Sequence, residues 1–146
     1  MILRAATETD LDAVHEIESE SQSNPWSLKM FQDELHREER GLFWVVESGA
    51  VLGFAVFDLI RPDAELLNVS IRSVERGKGC GRHLLEGCLL ELKERGFERV
   101  LLEVRSSNAA AIGLYSRLGF QTDGKRANYY DHPKEDAILM SLGLCG

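Results

Sequence analysis

Cysteine and proline are scarce in this chain, with three residues of each. Cys80, Cys88 and Cys145 stand far apart, and an odd count with no secretory leader argues against a disulfide framework. His15, His36, His83 and His132 form no ligand-spaced cluster, so no metal site is expected. No apolar run approaches the ~20 residues that a membrane-spanning helix needs. Met1-Ile2-Leu3-Arg4 enters a strand-like segment at once and lacks the regions of a signal peptide. A cytoplasmic protein without membrane attachment is the expectation. Bases are outnumbered, 17 Lys and Arg against 24 Asp and Glu, giving a net charge of −7. That balance argues against direct nucleic-acid binding, which needs a basic face, and favours basic partners.

What is present reads as one globular domain, residues 1–146, with 44% apolar and 28% charged residues. No repeat, low-complexity tract or linker divides it. Met1–Ala5 reads as a strand. Thr9 is placed to cap a helix from Asp10 to about Glu20, with Leu11, Val14, Ile17 and Glu18 at helical spacing. Ser23-Asn24-Pro25-Trp26 interrupts it, and Ser27 stands as the cap of a second helix through Phe31 and Leu35. Leu42–Glu47 and Val51–Leu59 read as strands joined across Ser48-Gly49. In Glu65–Arg72, simple alternation puts Leu67, Val69 and Ile71 on one face and Leu66, Asn68 and Ser70 on the other. Leu84, Leu85, Cys88, Leu89 and Leu92 form a helical stripe that ends at Arg95-Gly96. Strand Glu98–Arg105, helix Asn108–Leu118 and strands Phe120–Asp131 and Asp136–Leu142 complete the chain. The order βααβββαβαββ predicts an α/β fold, a mixed sheet flanked by helices.

Between the strand Glu65–Arg72 and the helix after Gly81 lies Arg76-Gly77-Lys78-Gly79-Cys80-Gly81-Arg82. Glycines let the main chain take positive φ and approach a ligand closely. The turn empties into a helix N-terminus, where unpaired N–H groups and the dipole favour an anion. Arg76, Lys78 and Arg82 add charge, so a diphosphate is the expected guest. A Walker A loop would end in Gly-Lys-Ser/Thr, and the dinucleotide fingerprint needs Gly-x-Gly-x-x-Gly; this sequence has neither. Cys80 at the helix start reads as a small filler rather than a reactive thiol.

Arg76, Gly79 and Gly81, after a strand and opening a long helix, resemble the pyrophosphate motif of the GNAT superfamily of N-acetyltransferases. The run Leu102-Glu103-Val104-Arg105-Ser106-Ser107-Asn108-Ala109-Ala110-Ala111, continued by Leu114-Tyr115 and Leu118-Gly119-Phe120, is similar to its ribosomal-protein alanine N-acetyltransferases. Asn24-Pro25-Trp26-Ser27, Glu65-Leu66-Leu67-Asn68 and Asn128-Tyr129-Tyr130 with Glu135-Asp136-Ala137 match the same group in order. Arg76 and Ser70 depart from it, standing where Gln and Ala are common.

The resemblance implies an acetyl-CoA-dependent enzyme without a metal. Main chain of Val69, Ser70 and Ile71 would meet the pantetheine, and Arg76 through Arg82 the diphosphate. Glu103, in the apolar strand Val100-Leu101-Leu102-Glu103-Val104, is expensive to bury unless paired or used, and the family places its general base there. Tyr115 lies on an apolar stripe, where an aromatic is ordinarily core; the resemblance makes it the proton donor to the departing thiolate. Asn108 reads both as an N-cap and as a cofactor contact. Trp26 is either core or part of the acceptor groove, and of Tyr129 and Tyr130 alternation turns one inward and one outward. Trp26, Asn128, Tyr129 and Tyr130 are the expected acceptor contacts. The implied acceptor is the N-terminal alanine of a basic small-subunit ribosomal protein. Broader N-terminal, lysine or small-amine acetylation, or a non-catalytic acetyl-CoA sensor, are the alternatives. A monomer or weak dimer is the expected state.

Overall fold

The computed structural model describes residues 1–131 and 133–144, so His132 and Cys145 lie outside the described residues. The strands are β1 (Ile2–Ala5), β2 (Gly41–Glu47), β3 (Val51–Ile60), β4 (Asp63–Ile71), β5 (Arg99–Arg105), β6 (Gln121–Tyr130) and β7 (Glu135–Gly143). The helices are α1 (Leu11–Ser21), α2 (Leu28–Leu35), α3 (Cys80–Glu94) and α4 (Ala109–Arg117). The chain order is the expected one. All strands join one sheet in the order β1-β2-β3-β4-β5-β7-β6. Every pairing is antiparallel except that of β4 with β5.

Two apolar layers hold the helices to the sheet. On one face Leu84, Leu85, Cys88 and Leu92 of α3 pack on Ala55, Phe57, Leu66, Val100 and Leu102. On the other, Leu11, Val14 and Ile17 of α1 and Phe31 of α2 pack on Phe43, Val45, Phe54 and Val56. Alternation along β2 and β3 distributes these residues between the faces, which is why β3 is apolar nearly throughout. Fully burying each such side chain contributes about 1.5–3 kcal/mol.

The helix starts follow local chemistry. Ser27 Oγ accepts the Met30 N–H at 3.2 Å, so Ser27 caps α2 as its position suggests. Ser27→Ala should cost about 1 kcal/mol, read as a lower denaturant midpoint with an unchanged slope. Thr9 does not cap α1. Thr7 starts a short 3-10 turn (Glu8–Asp10) instead, its N–H donating to Asp10 Oδ2 at 2.8 Å. Arg4 fixes that carboxylate with two hydrogen bonds of 2.7 and 2.9 Å, which ties β1 to the start of α1.

Simple alternation fails in β4. Val56 pairs with Asn68 but Phe57 with Leu66, so Leu67 is an extra residue in a β-bulge. Leu66 therefore shares the α3 face with Val69 and Ile71, and Leu67 is exposed. Asn68 and Ser70 turn towards α1, where Ser70 Oγ donates to Ser21 Oγ at 2.6 Å. One inserted residue thus re-aims the second half of the strand.

Candidate active site

β4 and β5 pair in parallel only from Asp63–Arg99 to Leu66–Leu102. Beyond those residues β4 runs on to Ile71 and β5 to Arg105 without pairing each other. A cleft of about 340 Å³ opens where the strands separate. Leu66 to Val69 line one wall, Leu102 to Arg105 the other, and Asn108, Tyr115 and Tyr130 close the far side. Glu18 and the loop Gln22–Asn24 with Trp26 form the remaining wall.

Glu103 occupies this cleft on the more open face of β5. Val100, Leu102 and Val104 take the buried face, while Glu103 keeps 24% side-chain exposure. Period-2 geometry places the apolar neighbours on the opposite face, so the carboxylate escapes the cost of burial among them. Arg126 of β6 approaches Glu103 Oε1 at 3.6 Å, and Tyr129 lies beside the same carboxylate. The neighbouring Glu103 carboxylate pushes the Tyr129 phenol above its ordinary pKa. On the neighbouring strand Glu65 is also pushed up, by burial and by the Glu103 charge.

Tyr115 is both core and cleft. It is 6% exposed, its ring centroid lies 5.8 Å from that of Phe120, and it lines the cleft. Its place is set by the end of α4: Gly119 takes φ +101, which lets Phe120 N–H reach Tyr115 O at 3.0 Å and Gly119 N–H reach Ser116 O at 3.1 Å. Burial raises the phenol pKa to about 12. Asn108 also has two places, capping α4 by accepting the Ala111 N–H at 3.2 Å while lining the cleft. Glu135 anchors the turn before it, accepting Ser107 N–H at 2.6 Å.

Tyr130 is half-buried and lines the cleft while Tyr129 is exposed, so one turns inward and one outward as expected. The β6–β7 register jumps between Arg126 and Tyr130, and Asn128 sits at φ +52 with its N–H on Asp136 Oδ1 at 2.8 Å. At that irregularity the two rings stay close, with centroids 5.1 Å apart. Tyr129 covers Arg126 beside Glu103, and Tyr130 lines the cleft under Arg105. Asn128 is exposed and not among the lining residues. Trp26 packs on Phe31 with centroids 5.3 Å apart and also lines the cleft.

The glycine turn lies at the start of α3. Gly79 is the cap residue at φ +82 and Gly77 stands at φ +78, a region that other residues enter only at a cost. No side chain closes the helix mouth, since Gly79 carries none and a Cβ there would meet nothing within 4 Å. The first hydrogen bond of the helix is His83 N–H to Gly79 O at 3.0 Å, which leaves the preceding N–H groups pointing outward. Gly81 has no positive φ, and an added Cβ would make ordinary contacts of 3.5 Å with Ile71 and Leu114. Arg76 departs from the expected place beside these N–H groups. Its guanidinium donates to Ser21 Oγ at 2.7 Å and Ile71 O at 3.2 Å, because the chain turns at Ser73–Glu75 towards α1. Lys78 and Arg82 are exposed, with Glu75 and Glu86 at 3.8 and 3.1 Å. Cys80 is 2% exposed and burial pushes its thiol pKa up, so it is a packing residue.

Residues 11–120 match the acetyltransferase (GNAT) family. The chain belongs to that family. A ribosomal protein bS18 alanine N-acetyltransferase of Escherichia coli (strain K12) is 41% identical over 139 residues, covering 93% of each chain. The crystal structure of the corresponding Escherichia coli enzyme superposes with a TM-score of 0.91 at 37% identity, covering 99% of this chain and 94% of that one. The structure of Ard1 from Thermoplasma volcanium gives 0.88 at 27% identity, covering 99% and 98%.

This GNAT protein is an acetyl-CoA-dependent N-acetyltransferase. The geometry is compatible with that donor: the 15-residue α3 starts without a side-chain cap, as anion sites do, and β4 beyond Leu66 is not paired with β5. Among the described residues no group of three potential metal ligands exists, and no helix is long and apolar enough to cross a membrane. Gly79→Val should weaken acetyl-CoA binding at least ~10-fold in calorimetry, since a β-branched residue at positive φ costs about 1–3 kcal/mol and blocks the mouth.

Two residues that the sequence did not single out as functional also line the cleft. Glu18 is 1% exposed, and Asn68 follows the bulge. The available signal was a carboxylate within the stripe Leu11, Val14, Ile17.

Proposed function

We propose that this enzyme transfers the acetyl group of acetyl-CoA to the α-amine of an N-terminal alanine on the small-subunit ribosomal protein bS18. The observation that carries this reading is a single cleft containing Glu103 and Tyr115 at the parting of β4 and β5, in a chain 41% identical to an enzyme of that name. The net charge of −7 suits a basic ribosomal protein as acceptor.

An α-amine has a pKa of ~7.7–8.0, against ~10.4 for lysine. The first is substantially neutral at physiological pH, and the second is neutral less than about one time in a thousand. A half-exposed carboxylate is sufficient for the easier task. Glu103, through a water, takes the proton of the α-ammonium. The neutral amine nitrogen then bonds to the acyl carbon and sheds its second proton to water as the carbon–sulfur bond breaks, while Tyr115 gives its proton to sulfur and regains one from water. An N–H of the Val69–Ile71 stretch polarises the thioester carbonyl. Residues Gly77–Arg82 hold the diphosphate, and Asn108 adds a contact. Trp26, Tyr129 and Tyr130 flank the acceptor's entry; Asn128 shapes the turn that presents the two tyrosines.

The test is incubation with acetyl-CoA and the alanine-starting bS18 peptide. Release of free CoA at the no-peptide rate rejects this acceptor. A lysine peptide of the same composition should remain near background.

A further inference from the structure

We infer that Glu18 and Asn68 form a clamp for the first peptide unit of the acceptor, an inference that rests on the N-terminal acetylation proposed above. Glu18 is the one acid among the largest fully buried side chains. Its Oε2 accepts the Trp26 N–H at 2.9 Å, which holds the loop after α1. Its Oε1 is buried and has no hydrogen-bond partner. Asn68 Nδ2 is also buried without a partner. These are the two such side-chain atoms among the described residues, and both residues line the acceptor cleft from facing elements, α1 and β4.

Buried polar groups are ordinarily satisfied, and an unmet one is costly to keep. Neither residue is explained by packing. Holding the Trp26 N–H needs one oxygen, which a neutral amide supplies. Asn68 owes its direction to the Leu67 bulge, as does Ser70, which is fully engaged with Ser21. The pattern left over is one acceptor on Glu18 and one donor on Asn68.

A peptide unit has the complementary pair: its N–H answers Glu18 Oε1 and its C=O answers the Asn68 amide. In an N-terminal acceptor that unit begins one carbon from the reactive nitrogen, so gripping it fixes the α-amine in the cleft that holds Glu103. The ε-amine of lysine and the amines of a polyamine have no such unit at that distance. The clamp therefore selects N-termini by their main chain, while deprotonation stays with Glu103.

The experiment compares the alanine-starting peptide with its ester twin, in which oxygen replaces the first peptide N–H. Wild type should lose about 10- to 100-fold in kcat/KM on the ester, the range for a hydrogen bond to a charged group. Glu18→Gln keeps an oxygen for Trp26 but turns a donor towards the peptide N–H. It should lose a similar factor on the peptide and little further on the ester, with acetyl-CoA affinity unchanged in calorimetry. Asn68→Leu removes an unsatisfied amide, so its melting temperature should be no lower than wild type while the peptide KM rises. Equal wild-type rates on amide and ester, or full additivity of the ester and Glu18→Gln losses, overturn the clamp. Weakened acetyl-CoA binding with an intact peptide KM also overturns it, assigning both residues to the cofactor. A peptide that releases no CoA while acetyl-CoA binds normally overturns the acceptor reading and the clamp together.

Discussion

Replacing Glu103 with Gln should lower kcat/KM for the alanine peptide about 100- to 10,000-fold, the usual worth of a positioned general base. The substitution keeps the shape of the side chain, so the fold and acetyl-CoA affinity should stay as in wild type. What it removes is the capacity to hold a proton. A non-catalytic sensor would have no turnover to lose, and combining Glu103→Gln with Tyr115→Phe separates the two cases. The pH profile adds a second signature. Wild-type kcat/KM should rise as the amine loses its proton, near pH ~8. It should show no fall just above that, because burial keeps the Tyr115 phenol protonated until about 12. A steep decline between those values would show that Tyr115 is not the acid.

Phe31→Ala should carry the largest stability cost, about 3–5 kcal/mol. Phe31 is 0% exposed, and its ring sits 5.3 Å from Trp26, 6.0 Å from Phe43 and 5.2 Å from Phe54. Truncation leaves a cavity between α2 and the sheet that three rings and two elements cannot readily close. For a domain of this size the melting temperature should fall by roughly 10–15 °C. The same change reaches the site through Trp26, which loses the ring it leans on, so the peptide KM should rise in molecules that remain folded. The α3 mouth lies on the other face of the sheet, against a different apolar layer. Saturating acetyl-CoA should therefore raise the melting temperature of Phe31→Ala as much as it raises that of wild type. A smaller rise would mean the two faces are coupled.

Local patterns carried much of the architecture. The stripe in α3, the Ser27 cap and the glycine after Tyr115's helix are legible because they depend on neighbours within a turn or two. The α3 mouth was legible for the same reason: Gly77 and Gly79 do need positive φ. Arg76 was misplaced because its partners, Ser21 and Ile71, are brought to it by the packing of α1 on β4.

By itself the sequence determined the element order, the apolar stripe of α3, the Ser27 cap and the glycines of the turn before α3. Only the tertiary structure decided where β4 parts from β5, how the Leu67 bulge turns Asn68 towards Glu18, and how the Asn128 turn brings Tyr129 to Glu103. Period and capping are properties of a few adjacent residues, whereas a bulge or the end of a ladder is settled by the register of two strands far apart in the chain.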